Sequence, residues 1–121
     1  MAKILIVDDD IQTTALLENM VKMSGHEPVS VSLSRHAIQV ANSSDPDLIL
    51  LDIMMEGING IELCKLLKAD SNLKNIPVIM VSALSDIGSK RDSFNAGAVD
   101  FITKPVLPRD FNERINDVLQ K

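Results

Sequence analysis

Five residues of this 121-residue chain have the types needed to move a charged group: Asp8 and Asp9 in "ILIVDDD", Asp52 in "LILLD", Ser82 in "VIMVS" and Lys104 in "DFITK". Each stands at or just past the end of a short apolar run. A carboxylate can hold a cation or act as a nucleophile, a hydroxyl can donate to an anion, and an ammonium can neutralise one. Those are the parts of a phosphoryl-transfer site, with an acyl phosphate as its covalent product.

The acids carry a cost that has to be met. Two carboxylates about 5 Å apart repel by roughly 3 kcal/mol at an effective dielectric of about 20. Three close together would strain a domain whose whole stability is about 5–15 kcal/mol. Either one acid is protonated, with a raised pKa, or a cation sits among them. Lys104 offsets one charge only. The donors are all oxygen, which suits a hard ion, and few carboxylates completed by water suit Mg2+ better than Ca2+. Asp52 stands alone at the end of a central run and is the candidate nucleophile, while the adjacent Asp8 and Asp9 read as metal ligands. Asp10 reads as a helix-start residue favoured by the macrodipole.

These residues meet only if the intervening chain brings the ends of the apolar runs to one rim. The runs are "KILIVD", "EPVSVS", "DLILLD", "PVIMVS" and "VDFITK". Three of them, "ILIV", "LILL" and "VIMV", are apolar on both faces, as expected of central parallel strands covered on each side. Amphipathic segments lie between. Leu16, Leu17, Met20 and Val21 form the first, stopped by Gly25; Ala37, Val40 and Ala41 the second, after a Ser34 cap; Ile61, Cys64 and Leu67 the third. A fourth opens at Ser85 or Asp86 and closes at Gly97. The last begins at Pro108 and buries Phe111, Ile115, Val118 and Leu119. Five strands alternating with five helices predict one open α/β domain over residues 1–121, with its ligand outside the carboxyl ends of the strands.

Composition narrows the function classes. A net charge of −5, 2% aromatic residues and no Trp or Tyr argue against direct contact with nucleic acid or an acidic membrane. No apolar run approaches the roughly 18 residues of a membrane span, and the acids arrive too early for a signal peptide, so the expected location is the cytoplasm. Cys64, the single cysteine, reads as a small buried apolar residue. Met54, Met55 and Met80 read as packing, His26 and His36 as surface residues, and Lys90–Arg91 as part of a solvated helix face.

The blocks "ILIVDDD", "PDLILLDIMMEGINGIELCKLLK", "IPVIMVSA" and "AGAVDFITKPV", in that order and spacing, resemble the response-regulator receiver domain of bacterial two-component signal transduction from end to end. The resemblance implies a flavodoxin-like three-layer sandwich with a five-stranded parallel sheet in the order 2-1-3-4-5. It implies Asp52 as phosphoacceptor, with Mg2+ held by Asp9 directly, Asp8 mostly through water, Asp52 and the backbone carbonyl of Met54. Ser82 and Lys104 would contact the phosphoryl group, Phe101 would be the aromatic switch residue, and the Lys104–Pro105 bond is a cis candidate. The implied partners are a sensor histidine kinase or histidine phosphotransfer protein and a downstream output domain or protein, with a phosphorylation-dependent dimer as a further implication. Such a domain is not an enzyme acting on outside substrates; it catalyses its own phosphotransfer and dephosphorylation.

Three positions depart from the family's common pattern. Glu56 replaces a frequent Pro, which should loosen the loop after the third strand and add an acid near the ion. Asn59 replaces a frequent Asp and is expected to cap the third helix. Phe101 lacks the hydroxyl of the common Tyr, so inward and outward states would differ by packing alone. Two alternatives come from other classes. A Mg2+-dependent phosphohydrolase would use the D-x-D of Asp8 and Asp10, but its motif wants Thr where Gln12 stands. A pseudo-receiver that binds partners without phosphorylation usually loses an acid, the central Asp or the lysine, all retained here. The chain is expected to be either a stand-alone receiver or a piece of a larger regulator or hybrid kinase.

Overall fold

Unbroken apolar runs make strands buried on both faces, and parallel neighbours need helical crossovers to connect them. The computed structural model, which describes residues 1–120, has that architecture. Its strands are β1 (Lys3–Val7), β2 (Glu27–Val31), β3 (Leu48–Leu51), β4 (Val78–Ser82) and β5 (Asp100–Thr103). They form one parallel sheet in the order β2-β1-β3-β4-β5. The helices are α1 (Ile11–Met23), α2 (Ala37–Ser44), α3 (Gly60–Ala69), α4 (Ile87–Asn95) and α5 (Pro108–Leu119), with a 3-10 turn at Ser34–His36 before α2. This is the flavodoxin-like fold expected from the sequence.

The alternation of side chains along each strand sorts the core into two layers. On one face Leu5, Val7, Ile49, Leu51, Val78 and Met80 pack with Ala37 and Ala41 of α2 and Leu63, Cys64 and Leu67 of α3. On the other, Ile4, Ile6, Leu48, Leu50, Ile79 and Val81 meet Leu17, Met20 and Val21 of α1 and Phe111 and Ile115 of α5. The register places Val7 beside Leu51, and Leu51 beside Met80. The residues that follow β1 and β3 therefore leave the sheet at one rim. Both stay attached to a neighbour: Asp52 N–H donates to the Val7 carbonyl at 3.0 Å, and Asp8 N–H to that of Val31 at 3.3 Å.

Helix starts follow the expected capping chemistry in three places. Asp10, Asn59 and Asp86 accept hydrogen bonds from the backbone N–H of Gln12, Glu62 and Ser89. Ser34 does not cap α2. It sits in the 3-10 turn, and His36, the residue before the helix, makes no side-chain cap. Leu16, assigned to the buried face of α1, is 47% exposed, and Met54 points outward rather than packing, at 63% exposed. Val40, Ile61, Val118 and Leu119 are half-buried. His26 is tied down rather than free at the surface: Nδ1 accepts from Ala2 N–H at 3.0 Å, and Nε2 lies 3.0 Å from Asn116 Oδ1. The first bond requires a bare Nδ1, which makes Nε2 the donor to Asn116. Among the described residues no helix is long and apolar enough to cross a membrane.

Candidate functional site

The carboxyl rim of the sheet gathers acids that are far apart in sequence. Asp8, Asp9 and Asp52 each offer a carboxylate oxygen within 4.8 Å of the others. Asp8 and Asp52 are buried and Asp9 is exposed. Lys104 reaches in from the end of β5, its Nζ 3.1 Å from Asp8 Oδ2 and 3.4 Å from Asp52 Oδ2. Its own N–H donates to the Ser82 carbonyl at 2.9 Å, which fixes the stem to the end of β4. The peptide bond from Lys104 to Pro105 is cis.

Three carboxylates face one ammonium, so the cluster keeps an excess of negative charge. Asp52 shows the strain. Burial pushes its carboxyl above the ordinary carboxylate range; Lys104 pulls it back and the Asp8 charge pushes it further up. Asp8 finds other support, since its Oδ1 accepts from Asp10 N–H at 2.9 Å. Asp10 points away from the cluster to the start of α1, where the Thr13 hydroxyl donates to it and lowers its pKa. An all-oxygen donor set with uncompensated charge fits a hard divalent cation.

Ser82 is fully buried at the end of β4, and its Oγ accepts from Leu84 N–H at 3.2 Å. Phe101 is buried on β5 beside Met80, with Lys90 Nζ 5.8 Å from its ring centre. Lys90 is thus half-buried over an aromatic face rather than simply solvated. Met54 lies on the loop directly after Asp52, where its backbone helps to lower the Asp52 pKa.

Several contacts that shape the rim could not be read from the sequence. A Cβ on Gly60 would overlap the Asp52 carbonyl oxygen and stand 2.8 Å from Ile53 Cα. Gly60 therefore lets the start of α3 press against the end of β3, where its N–H donates to the Ile53 carbonyl at 2.8 Å. Ser34 Oγ bonds the loop between β3 and α3. Glu56 N–H, which a Pro at this position would lack, donates to Asp9 Oδ2 at 3.0 Å. Arg114 of α5 clasps β5, donating from Nη1 to Asp100 Oδ1 and to the Phe101 carbonyl, both at 2.9 Å.

A parallel sheet in this order with a carboxylate cluster and a lysine at its carboxyl rim defines a receiver-type signalling fold. The chain belongs to the response regulator receiver domain family, whose model matches residues 4–116. It is 38% identical over 118 residues to the phosphate regulon transcriptional regulatory protein PhoB of Pseudomonas aeruginosa, covering 98% of this chain and 52% of that protein. Among solved structures it is similar to a putative response regulator from Chloroflexus aurantiacus, at 32% identity and a TM-score of 0.94, covering 99% of this chain and 98% of that one. It is also similar to the Vibrio cholerae chemotaxis protein CheY4, at 26% identity and a TM-score of 0.92, with 98% of each chain covered. The chain spans about half the length of the curated relatives it matches.

Proposed function

We propose that residues 1–121 act as a single receiver domain that takes a phosphoryl group onto Asp52 from the phosphohistidine of a sensor histidine kinase or a histidine phosphotransfer protein. The observation that carries this reading is the position of Lys104 Nζ, 3.1 Å from Asp8 and 3.4 Å from Asp52. A lysine held between a candidate nucleophile and a candidate cation ligand is poised to take up phosphoryl oxygens. An Asp52 oxygen forms the new O–P bond in line as the N–P bond breaks, and the electron pair leaves with the imidazole. Asp52 has to be ionised for this, and Lys104 opposes the burial that would keep it protonated.

Asp8 and Asp9, with Asp52 and the Met54 carbonyl, would hold Mg2+. When bound, the ion neutralises the phosphoryl oxygens and screens the acids from one another. Ser82 donates its hydroxyl to the transferred group, giving up its present bond to Leu84. The space it vacates allows Phe101 to repack, and the face formed by α4, β5 and α5 changes for a downstream output domain or protein. The same rim admits water for later loss of the phosphoryl group. The domain works in the cytoplasm, where a kinase phosphohistidine is presented.

The test is intact-protein mass after incubation with acetyl phosphate. One phosphoryl group gained with Mg2+, and lost with a chelator or in Asp52→Asn, is the expected result. No gain in the wild type, with Mg2+ binding confirmed by calorimetry, would turn the reading to a pseudo-receiver. Steady turnover of unrelated phosphoesters would turn it to a phosphohydrolase.

A further inference from the structure

Asp9 differs from its two acidic neighbours in how it is held. Asp8 and Asp52 share the Lys104 ammonium. Asp9 is exposed, and among the described residues its carboxylate has one hydrogen-bond donor, the backbone N–H of Glu56 at 3.0 Å. The peptide on the far side of Glu56 is anchored as well. Its carbonyl accepts from the Ser34 hydroxyl at 2.9 Å, and Ser34 Oγ in turn accepts from Ile58 N–H at 3.0 Å. Ser34 is 4% exposed, so both bonds are shielded from water. Gly57 lies between, with φ of +82°, and a Cβ there would stand 3.1 Å from Ser34 Oγ. Only glycine takes that backbone turn readily and leaves the hydroxyl its room. A continuous set of contacts thus runs from the turn before α2, through the loop after β3, to the Asp9 carboxylate.

We infer that Glu56, through its main-chain N–H, and Ser34, by fixing the loop that carries Glu56, are positioning residues that hold Asp9 beside Asp8 and Asp52 for divalent-cation binding. This rests on the reading of Asp9 as a cation ligand. One donor leaves most of the carboxylate's acceptor capacity for an ion. The tether removes much of the torsional freedom that Asp9 would otherwise lose on binding. The Glu56 side chain is not needed for it; the N–H is. Proline at position 56 would have no N–H to give.

The experiment compares Mg2+ dissociation constants by calorimetry for the wild type, Glu56→Pro, Glu56→Gln and Ser34→Ala, each checked for a cooperative melt. Glu56→Pro is expected to bind about tenfold more weakly, as when a ligand's outer support is removed. Glu56→Gln keeps the N–H and, at physiological salt, is expected to stay within about twofold, because an exposed charge is largely screened. Ser34→Ala falls between them. Equal losses in Glu56→Pro and Glu56→Gln, or wild-type affinity in a folded Glu56→Pro, would overturn the inference. If Glu56→Pro does not fold, two other arms decide. The Glu56 amide proton should shift upfield and exchange faster in Asp9→Ala by NMR, and Ser34→Ala should lose affinity; no change in either overturns the tether. A wild type that binds Mg2+ but gains no phosphoryl mass would defeat the phosphoacceptor reading alone, whereas a wild type without Mg2+ binding defeats the cation role of the tether.

Discussion

Lys104 Nζ lies 3.1 Å from Asp8 Oδ2, joining residues 96 apart in the chain. The lysine side chain is 19% exposed and the aspartate side chain 1%, so the pair is shielded from the screening that makes surface ion pairs weak. Replacing Lys104 by Met leaves Asp8 and Asp52 buried against each other without a cation. Breaking such a pair from one side is expected to cost about 3 kcal/mol. Urea denaturation in chelator measures it, and added Mg2+ should return part of the loss. A midpoint unchanged from the wild type would contradict this account of the rim.

The raised pKa of Asp52 has a sign that can be checked. A carboxyl whose folded pKa exceeds its unfolded value of about 3.8 binds its proton more tightly when folded. Stability then falls as pH rises through that window, and the penalty is complete above it. In chelator, Asp52→Asn is therefore expected to be more stable than the wild type at neutral pH. The difference should shrink as pH falls toward 3.8, where the ordinary carboxyl is half protonated. Urea midpoints across that range decide the matter; a gap that widens on acidification would be the wrong sign.

If the acids hold a cation, the folded state should gain stability from it by mass action. At a free Mg2+ concentration ten times the dissociation constant the gain is about 1.4 kcal/mol. The thermal midpoint should rise accordingly in the wild type. Asp9→Ala removes one oxygen donor from the cluster and should lose most of that rise. A similar rise in Asp9→Ala would place the ion elsewhere.

Gly60 is expected to tolerate no side chain. In Gly60→Ala the added Cβ meets backbone on both Asp52 and Ile53, and backbone cannot rotate out of the way. Overpacking of this kind costs about 3 kcal/mol. Because the displaced atoms belong to Asp52, phosphoryl uptake from acetyl phosphate should slow as well, at a temperature where the variant is still folded. Full uptake at the wild-type rate would mean that α3 moves and β3 does not.

The strands and their terminal acids were legible because burial on both faces leaves an unmistakable apolar run, and the residue ending each run is the one exposed at the rim. Asp8, Asp52 and Lys104 could be read that way. Ser34 could not: a serine before a helix looks like a cap, and a bond to a loop 22 residues away leaves no periodic trace. Gly60 was equally silent, since a close approach between helix and strand depends on distance in space. Leu16 fits a helical stripe by spacing but lies at its edge, where the sheet no longer covers it. His26 gains its role only when the chain start and α5 come together around it.

The strand order also has a history written into it. Synthesis delivers Asp8 and Asp9 first, then Asp52, and the adjacent strands β1 and β3 can pair as soon as Leu51 has emerged. The lysine that answers them arrives 96 residues after Asp8. The Phe111 and Ile115 that close the α1 side of the sheet come later still. Until β5 has been made, the growing sheet carries its negative charge without the lysine that answers it. Arrival of β5 and α5 supplies both the missing counter-charge and the missing apolar cover, so these two elements are the ones that seal the domain.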